Sequence, residues 1–360
     1  MTDGRIHGEV RIVGAGLLGT SLGLVLTRNG VDVSLVDVSP TAVVLASQYG
    51  AGRAARDGDN PALVVVCVPP DVAAATIERE LGLFPRATVT DVTSVKQSIV
   101  AQLTERGVDL SRYVGSHPMA GRERGGAVSA RADIFTGRAW VLCPTPDSSS
   151  DSIRLVEDLA QDVGASLVRM SPADHDAAVA VVSHVPQVVS SAVAASLVGA
   201  AGEAMNLAGG GVRDVTRIAA SDPALWVQIL SANAKSVTEV LRGVRDNLSS
   251  VIEGLESGAG EAAVASLMAH GNAGVSRIPG KHGNSRKFAR ILVIIDDRPG
   301  QLAALLTEIG DLGVNMEDLR LEHSPGAQVG FAEISVLPEA EAQLVSDLES
   351  RGWRIAGDDA

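Results

Sequence analysis

Short apolar runs alternate with stretches of helical period through residues 1–171. Val10-Arg11-Ile12-Val13, Val33-Ser34-Leu35-Val36, Leu63 to Val68 and Thr88-Val89-Thr90-Asp91 each read as a strand. Apolar runs without polar alternation predict strands covered on both faces, as in a parallel sheet. Thr20 to Asn29 is a helix between the first two. Ala139 to Cys143 and Ser166 to Met170 read as outer strands, with a serine-rich loop at Asp147 to Asp151. This order predicts an α/β fold whose N-terminal part is a doubly wound, Rossmann-type sheet.

From Pro172 the period becomes helical. Asp174-His175-Asp176 opens a segment that runs through His184-Val185-Pro186-Gln187 into Ala192 to Gly202. Ser191, Ala195 and Gly199, four residues apart, permit close helix approach. Asp222-Pro223 predicts an N-cap with proline at the first helical position, opening a helix that continues past Trp226 towards Arg245. Residues 172–270 are therefore expected to form an all-helical domain, of a kind that commonly makes homodimers. Residues 271–288, rich in Gly, Ser, Lys and Arg, read as a linker. Residues 289–360 follow a βαββαβ order, which predicts a ferredoxin-like unit.

The whole-chain numbers narrow the function. The 360 residues suit two or three domains, and 46% are apolar. With three Trp, two Tyr and four Phe, the filling falls to Val, Leu and Ala. A formal charge of −13 excludes the basic footprint that nucleic acid requires. Cys67 and Cys143 sit in apolar runs, as reduced thiols of a cytoplasmic protein do. Ala177 to Gly202 lacks Asp, Glu, Lys and Arg and exceeds the roughly 20 residues that span a bilayer. It holds His184, Pro186, Gln187 and four serines, and so predicts a buried helix with no membrane role. No metal-ligand spacing is visible.

Three stretches carry candidate chemistry. Gly14-Ala15-Gly16-Leu17-Leu18-Gly19 lies between a strand and a helix, and Asp37 ends the next strand 18 residues after Gly19. In that context the glycines serve a dinucleotide: Gly14 for the turn, Gly16 for approach to the pyrophosphate, Gly19 for helix packing. Asp37 accepts from ribose hydroxyls and repels a 2′-phosphate, which selects NAD over NADP. Leu17, Leu18, Val68 and Ser94 complete the candidate cofactor-binding set.

The second stretch is Ser116 to Gly126, which places His117, Glu123, Arg122 and Arg124 on a glycine-rich loop. Pro118 biases His117 to extended backbone, at the sheet edge where such folds bind ligands. Taken alone, the loop describes a histidine in a solvated, charged turn. The third is Val212 to Ile218, where Arg213 and Arg217 stand one helical turn apart; by spacing alone this is a surface pair.

Together with Thr93-Ser94-Val95-Lys96, Ser183-His184-Val185-Pro186, and Thr216-Arg217-Ile218-Ala219 followed by Ser221-Asp222-Pro223 and Trp226, these stretches resemble the bacterial prephenate dehydrogenase family. The C-terminal unit is similar to an ACT domain, through its Asp-Arg-Pro-Gly turn and Gly313-Val314-Asn315. The resemblance implies NAD-dependent oxidative decarboxylation of prephenate to 4-hydroxyphenylpyruvate. It implies His117 as catalytic base, with Ser94 hydrogen-bonded to it and near the nicotinamide. Arg217 would bind a substrate carboxylate, His184 would line the pocket, and Glu123 would gate it. Pro299, Gly300 and Asn315 would form a regulatory site for tyrosine.

His175 transfers less directly. Positions nine apart on one straight helix face opposite sides, so His175 joins His184 at one pocket only if Pro186 or a break upstream redirects the chain. A structural histidine is the alternative. Gln187 stands where many family members have another histidine, which leaves prephenate and arogenate both open. More distant readings are a β-hydroxyacid dehydrogenase, for which Lys235 is a poor catalytic lysine, and a non-catalytic sensor of NAD and amino acids.

Overall fold

The computed structural model describes residues 4–122, 125–278, 288–323 and 329–356. In chain order, the first elements are β1 (Val10–Val13), α1 (Leu17–Arg28), β2 (Val33–Val36), α2 (Pro40–Gln48), β3 (Arg53–Ala54) and β4 (Leu63–Val66). Then come α3 (Pro70–Leu83), β5 (Thr88–Asp91), α4 (Gln97–Glu105), β6 (Tyr113–Pro118), β7 (Ala139–Cys143), α5 (Ser150–Asp162) and β8 (Ser166–Arg169). The helical stretch comprises α6 (Pro172–Val179), a π-turn (Ala180–His184), α7 (Val185–Ser196), α8 (Gly202–Met205) and α9 (Gly210–Thr216). It continues with a 3₁₀ turn (Arg217–Ala220), α10 (Pro223–Ala232), α11 (Ala234–Glu256) and α12 (Gly260–Val275). The last elements are β9 (Ala289–Asp296), α13 (Gln301–Asp311), β10 (Asp318–His323), β11 (Val329–Val336), α14 (Pro338–Ser350) and β12 (Arg354–Ala356).

The chain divides into two compact units, Met1–Val198 with Thr216–Val244, and Gly199–Val215 with Arg245–Ala360. The helical stretch contributes residues to both units.

The first unit contains an eight-stranded sheet in the order β3-β2-β1-β4-β5-β6-β7-β8. β1 to β6 run parallel, and β7 and β8 run antiparallel to β6. The uninterrupted apolar runs exist because both faces are covered. Val10, Ile12, Leu63, Val65 and Val114 face one core, while Val13, Val64, Val66, Val89 and Tyr113 face the other. Ile229 of α10 joins the second core, so the helical stretch is seated on the α3 side of the sheet.

Local chemistry sets the helix starts. Ser39 and Ser171 each cap a helix through the side-chain oxygen, with Pro40 and Pro172 at the first helical position. Asp222 caps α10 by accepting from the Ala224 N–H. That helix ends at Ala232, short of Arg245: Asn233 takes a non-helical conformation, with φ −113° and ψ 27°, and α11 begins anew after it. The first helix also differs from its periodicity. It breaks into α6, the π-turn and α7, and α7 ends at Ser196, so Gly199 lies beyond it.

The run Pro172–Ser196 is long and apolar enough, by length and composition, to cross a membrane. Its His175, Asp176, His184 and Gln187 are all buried, however, and each has a polar partner in the first unit.

The second unit ends in a four-stranded antiparallel sheet, order β10-β11-β9-β12, within the expected βαββαβ sequence. Ile291, Val293 and Ile295 alternate inwards against Leu305, Ile309, Leu344 and Leu348 of its two helices.

Close packing explains one glycine outside the fingerprint. A Cβ on Gly23 of α1 would stand 2.1 Å from the Ala51 carbonyl oxygen. Gly-to-Ala in a helix normally stabilises by about 1 kcal/mol. Here the clash reverses the sign, and Gly23→Ala is expected to destabilise by about 1–3 kcal/mol, read as a lower urea midpoint. An unchanged or raised midpoint would disprove this close contact.

Candidate active site

The carboxyl ends of the parallel strands share one edge, and the first part of the site is the loop after β1. Gly14 has φ 109°, and a Cβ there would lie 2.3 Å from the Cys67 carbonyl oxygen. Gly19 approaches the Gly14 carbonyl oxygen so closely that a Cβ would sit 1.9 Å away. Gly16, in contrast, faces open space. It caps α1 without any side-chain acceptor, so the helix N–H groups point outwards as an anion site requires.

Asp37 is held at the end of β2. Its Oδ2 accepts from Ala15 N at 2.7 Å and its Oδ1 from Ser39 N at 2.8 Å. Its neighbour Val38 is fully exposed and uncharged, so the position beside the acid offers no cation to a 2′-phosphate. Leu17, Leu18 and Val68 are half-buried at the same edge. These residues fit a bound dinucleotide.

The second part lies at the ends of β5 and β6. The β5–β6 pairing runs from Val89 with Tyr113 to Asp91 with Gly115, so Ser116 and His117 project past the end of β5. His117 is extended, as Pro118 demands. It retains 8% of its surface, enough for one edge of the ring to meet a ligand. Beside it lies a buried ionic cluster. Lys96 Nζ bonds to Asp91 Oδ1 and, at 2.8 Å, to Thr93 Oγ1, while the Tyr113 hydroxyl donates to Asp91 Oδ2 at 2.7 Å. Cys67 and Cys143 are free thiols.

The third part comes from the helical stretch. Asp176 Oδ1 accepts from Lys96 N and Oδ2 from Gln97 N, each at 2.9 Å, which fastens α6 to the start of α4. His175 is fully buried. Its Nδ1 meets Asp176 Oδ1 at 2.8 Å and its Nε2 meets His117 Nδ1 at 2.9 Å. His175 therefore stands behind His117 and, fully buried, presents no surface of its own to a ligand. The π-turn rotates it towards the side that carries His184. An α-helix would leave the two about 180° apart, and one extra residue in a wide turn removes about 100° of that rotation. Pro186, which has no N–H to give, lies in the first turn of α7, with Val185 between it and the π-turn.

His184 Nδ1 is 3.1 Å from Asn233 Nδ2, and Asn233 also donates to the Asp176 carbonyl at 2.7 Å. Its ring stands edge-on to Trp226, 6.1 Å between centroids. Gln187 Nε2 donates to the Ile218 carbonyl at 3.0 Å, tying α7 to the turn that carries Arg217. Arg217 is exposed at the start of that turn. α9 ends at Thr216, so Arg213 and Arg217 do not share one α-helix.

Ser94 is half-exposed after β5, on the same edge. Of the two His117 nitrogens, Nδ1 is engaged by His175, and Nε2 is the one left for the bond expected from Ser94. Glu123 and Arg124 lie outside the described residues, and Arg122 donates to the Ser129 carbonyl at 3.1 Å. Asp176, Asn233 and the buried state of Lys96 carry no signal in residue spacing, although Asp174-His175-Asp176 is a conspicuous polar triplet. Among the described residues no three His, Cys, Asp or Glu side chains are grouped as for a metal ion.

Burial sets the electrostatics. It drives the His117 pKa well below the usual histidine range, with His175, Lys96 and His184 acting in the same direction. Burial also lowers His184 to about 4, against a partly opposing pull from Asp176. Both rings are neutral at pH 7.

This fold and this edge define a dinucleotide-dependent oxidoreductase with a neutral imidazole beside the cofactor loop. Residues 22–169 match the family model "Prephenate dehydrogenase, nucleotide-binding domain", and residues 171–269 match "Prephenate dehydrogenase, dimerization domain". The chain belongs to the prephenate dehydrogenase family. It is 33% identical over 353 residues to a Streptomyces niveus protein described as probable prephenate dehydrogenase NovF, covering 95% of this chain and 98% of that one. Among solved structures, Aquifex aeolicus prephenate dehydrogenase in complex with hydroxyphenyl propionate and NAD+ matches at a TM-score of 0.68 and 29% identity. That match covers 75% of this chain and 98% of the other. Synechocystis arogenate dehydrogenase matches at a TM-score of 0.63 and 26% identity, covering 75% and 99%.

The neutral buried histidines predict acid sensitivity. Between pH 6.5 and about 4 the unfolded chain binds a proton at His184 that the folded chain refuses. Stability from this residue is full above pH 6.5 and is lost as the pH falls. Urea midpoints measured from pH 7 to pH 5 should fall more steeply for the native protein than for His184→Asn. Parallel slopes would remove His184 from the acid response.

Proposed function

We propose that this chain is an NAD-dependent prephenate dehydrogenase, converting prephenate to 4-hydroxyphenylpyruvate and CO2. The observation that carries the reading is His117: a neutral imidazole at the carboxyl edge of the sheet, its Nδ1 already engaged and its Nε2 left for a substrate. NAD, when bound, supplies the acceptor for the hydride that leaves the ring carbon bearing the hydroxyl group. His117 Nε2 accepts the hydroxyl proton. The O–H electron pair then forms the carbonyl. As the ring carboxylate departs as CO2, its bonding pair passes through the ring to that oxygen, which takes the proton back to become the phenol hydroxyl. Aromatisation makes the step irreversible. A base with a pKa below the working pH stays unprotonated and ready.

Ser94, on the same edge, is assigned to placing the nicotinamide, and His184 to lining the pocket. Arg217 is assigned to a substrate carboxylate, for which its planar fork suits bidentate contact, and Glu123 to gating. The exposed apolar side chains Val181, Val182, Leu225 and Val227 support a homodimer through the helical domain. The two free thiols and the absence of a nucleic-acid footprint suit a cytoplasmic biosynthetic enzyme.

Arogenate is the second reading, and Gln187 favours it. Its NH2 is committed to Ile218 and to Ser191 Oγ at 3.5 Å. What it offers a ligand is therefore an acceptor oxygen, which suits the ammonium group that distinguishes arogenate.

His117→Asn is expected to lower kcat by about 10²–10⁴-fold with NAD and substrate binding kept, whereas Arg217→Met should chiefly raise KM. Steady-state rates with prephenate and arogenate decide the substrate. Undiminished turnover in His117→Asn would end the assignment of the base.

The C-terminal unit is assigned as an ACT-type regulatory domain for tyrosine, at the turn of Pro299 and Gly300 and at Asn315. Gly300 takes φ 89° at the N-cap of α13, and Asn315 donates to Glu317 at 2.9 Å. Calorimetric titration of the full chain should give heat with tyrosine and little with phenylalanine. No heat with either would leave the domain a structural role.

A further inference from the structure

We propose that His175 and Asp176 are positioning residues that set the tautomer of His117, in a buried carboxylate–imidazole–imidazole relay. The inference rests on His117 as the base of the reaction proposed above, and adds which atom is the base and what makes it so.

The argument is one of donors and acceptors. An ionised carboxylate only accepts hydrogen bonds. Asp176 is locked as an acceptor by the Lys96 and Gln97 N–H groups at the start of α4, each 2.9 Å away. The nitrogen that His175 turns to it, Nδ1 at 2.8 Å, must carry the proton. In a neutral imidazole the other nitrogen is then a bare acceptor. That nitrogen, Nε2, lies 2.9 Å from His117 Nδ1, so His117 Nδ1 must be the donor. The lone pair of His117 is left on Nε2. The reverse tautomers would place a bare nitrogen against the Asp176 carboxylate, lone pair to lone pair.

Burial makes the setting firm. His175 is fully buried and Asp176 is 1% exposed, so water does not compete for either bond. The titratable groups facing the His117 ring are Lys96, His175 and His184, with Asp91 behind Lys96 and Asp176 behind His175. When His117 Nε2 takes the hydroxyl proton, the O–H bond breaks and an N–H bond forms. The imidazolium then keeps its Nδ1–H on His175, whose carboxylate partner stabilises the new charge. The arrangement does for His117 what the aspartate of a Ser-His-Asp triad does for its histidine.

The test uses the full-length enzyme labelled with 15N-histidine, with the His117 signals assigned by loss in His117→Asn. His117 should be protonated at Nδ1 and bare at Nε2 at pH 7, without any substrate present. His175→Phe removes the acceptor and should lower kcat by about 10²-fold, with NAD affinity and KM kept and the tautomer preference of His117 lost. His175→Gln, whose amide oxygen can accept from Nδ1, should restore much of the rate. A His117 protonated at Nε2 in the native enzyme, or a folded His175→Phe with native kcat, overturns the proposal. If His175→Phe does not fold, the native spectrum decides. A chain that oxidises neither prephenate nor arogenate would defeat the functional reading while leaving the tautomer measurement intact.

Discussion

The carboxylate of Asp176 is the joint on which the site depends. It collects two backbone N–H groups from the start of α4 and one ring N–H from His175, and it is sealed from water. Hydrogen bonds to a charged group contribute about 1.5–3 kcal/mol each, so this one side chain is a strong tie between α6 and the start of α4. Asn233 repeats the tie from the other side, donating to the backbone carbonyl of the same Asp176. Helices α6 and α10 are thereby fixed to the edge where β5 and β6 end.

That attachment gives the histidines their chemistry. His117 alone would be an ordinary ring at a strand end. With His175 against it, and with Lys96 neutralised by Asp91 nearby, it becomes a buried and neutral group whose protonated form is disfavoured. Pairing offsets the cost of the polar interior: Asp91 and Thr93 satisfy Lys96, the Tyr113 hydroxyl donates to Asp91, and Ser116 is satisfied by Thr90 and the Asp91 carbonyl. Unsatisfied, each of these groups would cost about 1–3 kcal/mol. The π-turn belongs to the same design, since it rotates His184 towards His175 and lets Gln187 reach the turn that carries Arg217.

Parts of this were legible beforehand because they are local. The glycine pattern from Gly14 to Gly19 is read by turn sterics, and the structure places each glycine where its missing Cβ is needed or where space is open. Pro118 announces the extended backbone of His117. Asp222-Pro223 announces the start of α10. Other parts resisted for reasons equally physical. Nothing in helical periodicity shows that a chain will widen by one residue at Ala180–His184, because the change is stabilised by contacts with α10 and α11. The break at Asn233 leaves no mark in the periodicity because asparagine is tolerated within helices, and its role comes from partners 49 and 57 residues away.

The sequence by itself determined most strands of the parallel sheet, where the dinucleotide loop lies, and that an imidazole stands on extended backbone at the ligand-binding edge. These follow from backbone sterics and from a two-sided apolar core, which act over a few residues. Only the tertiary structure decided that His175 stands buried behind His117, that Lys96 is buried, and that Asp176 joins α6 to the start of α4. Those outcomes depend on partners dozens of residues distant, and on the exclusion of water that makes a pairing obligatory once two polar groups are enclosed together.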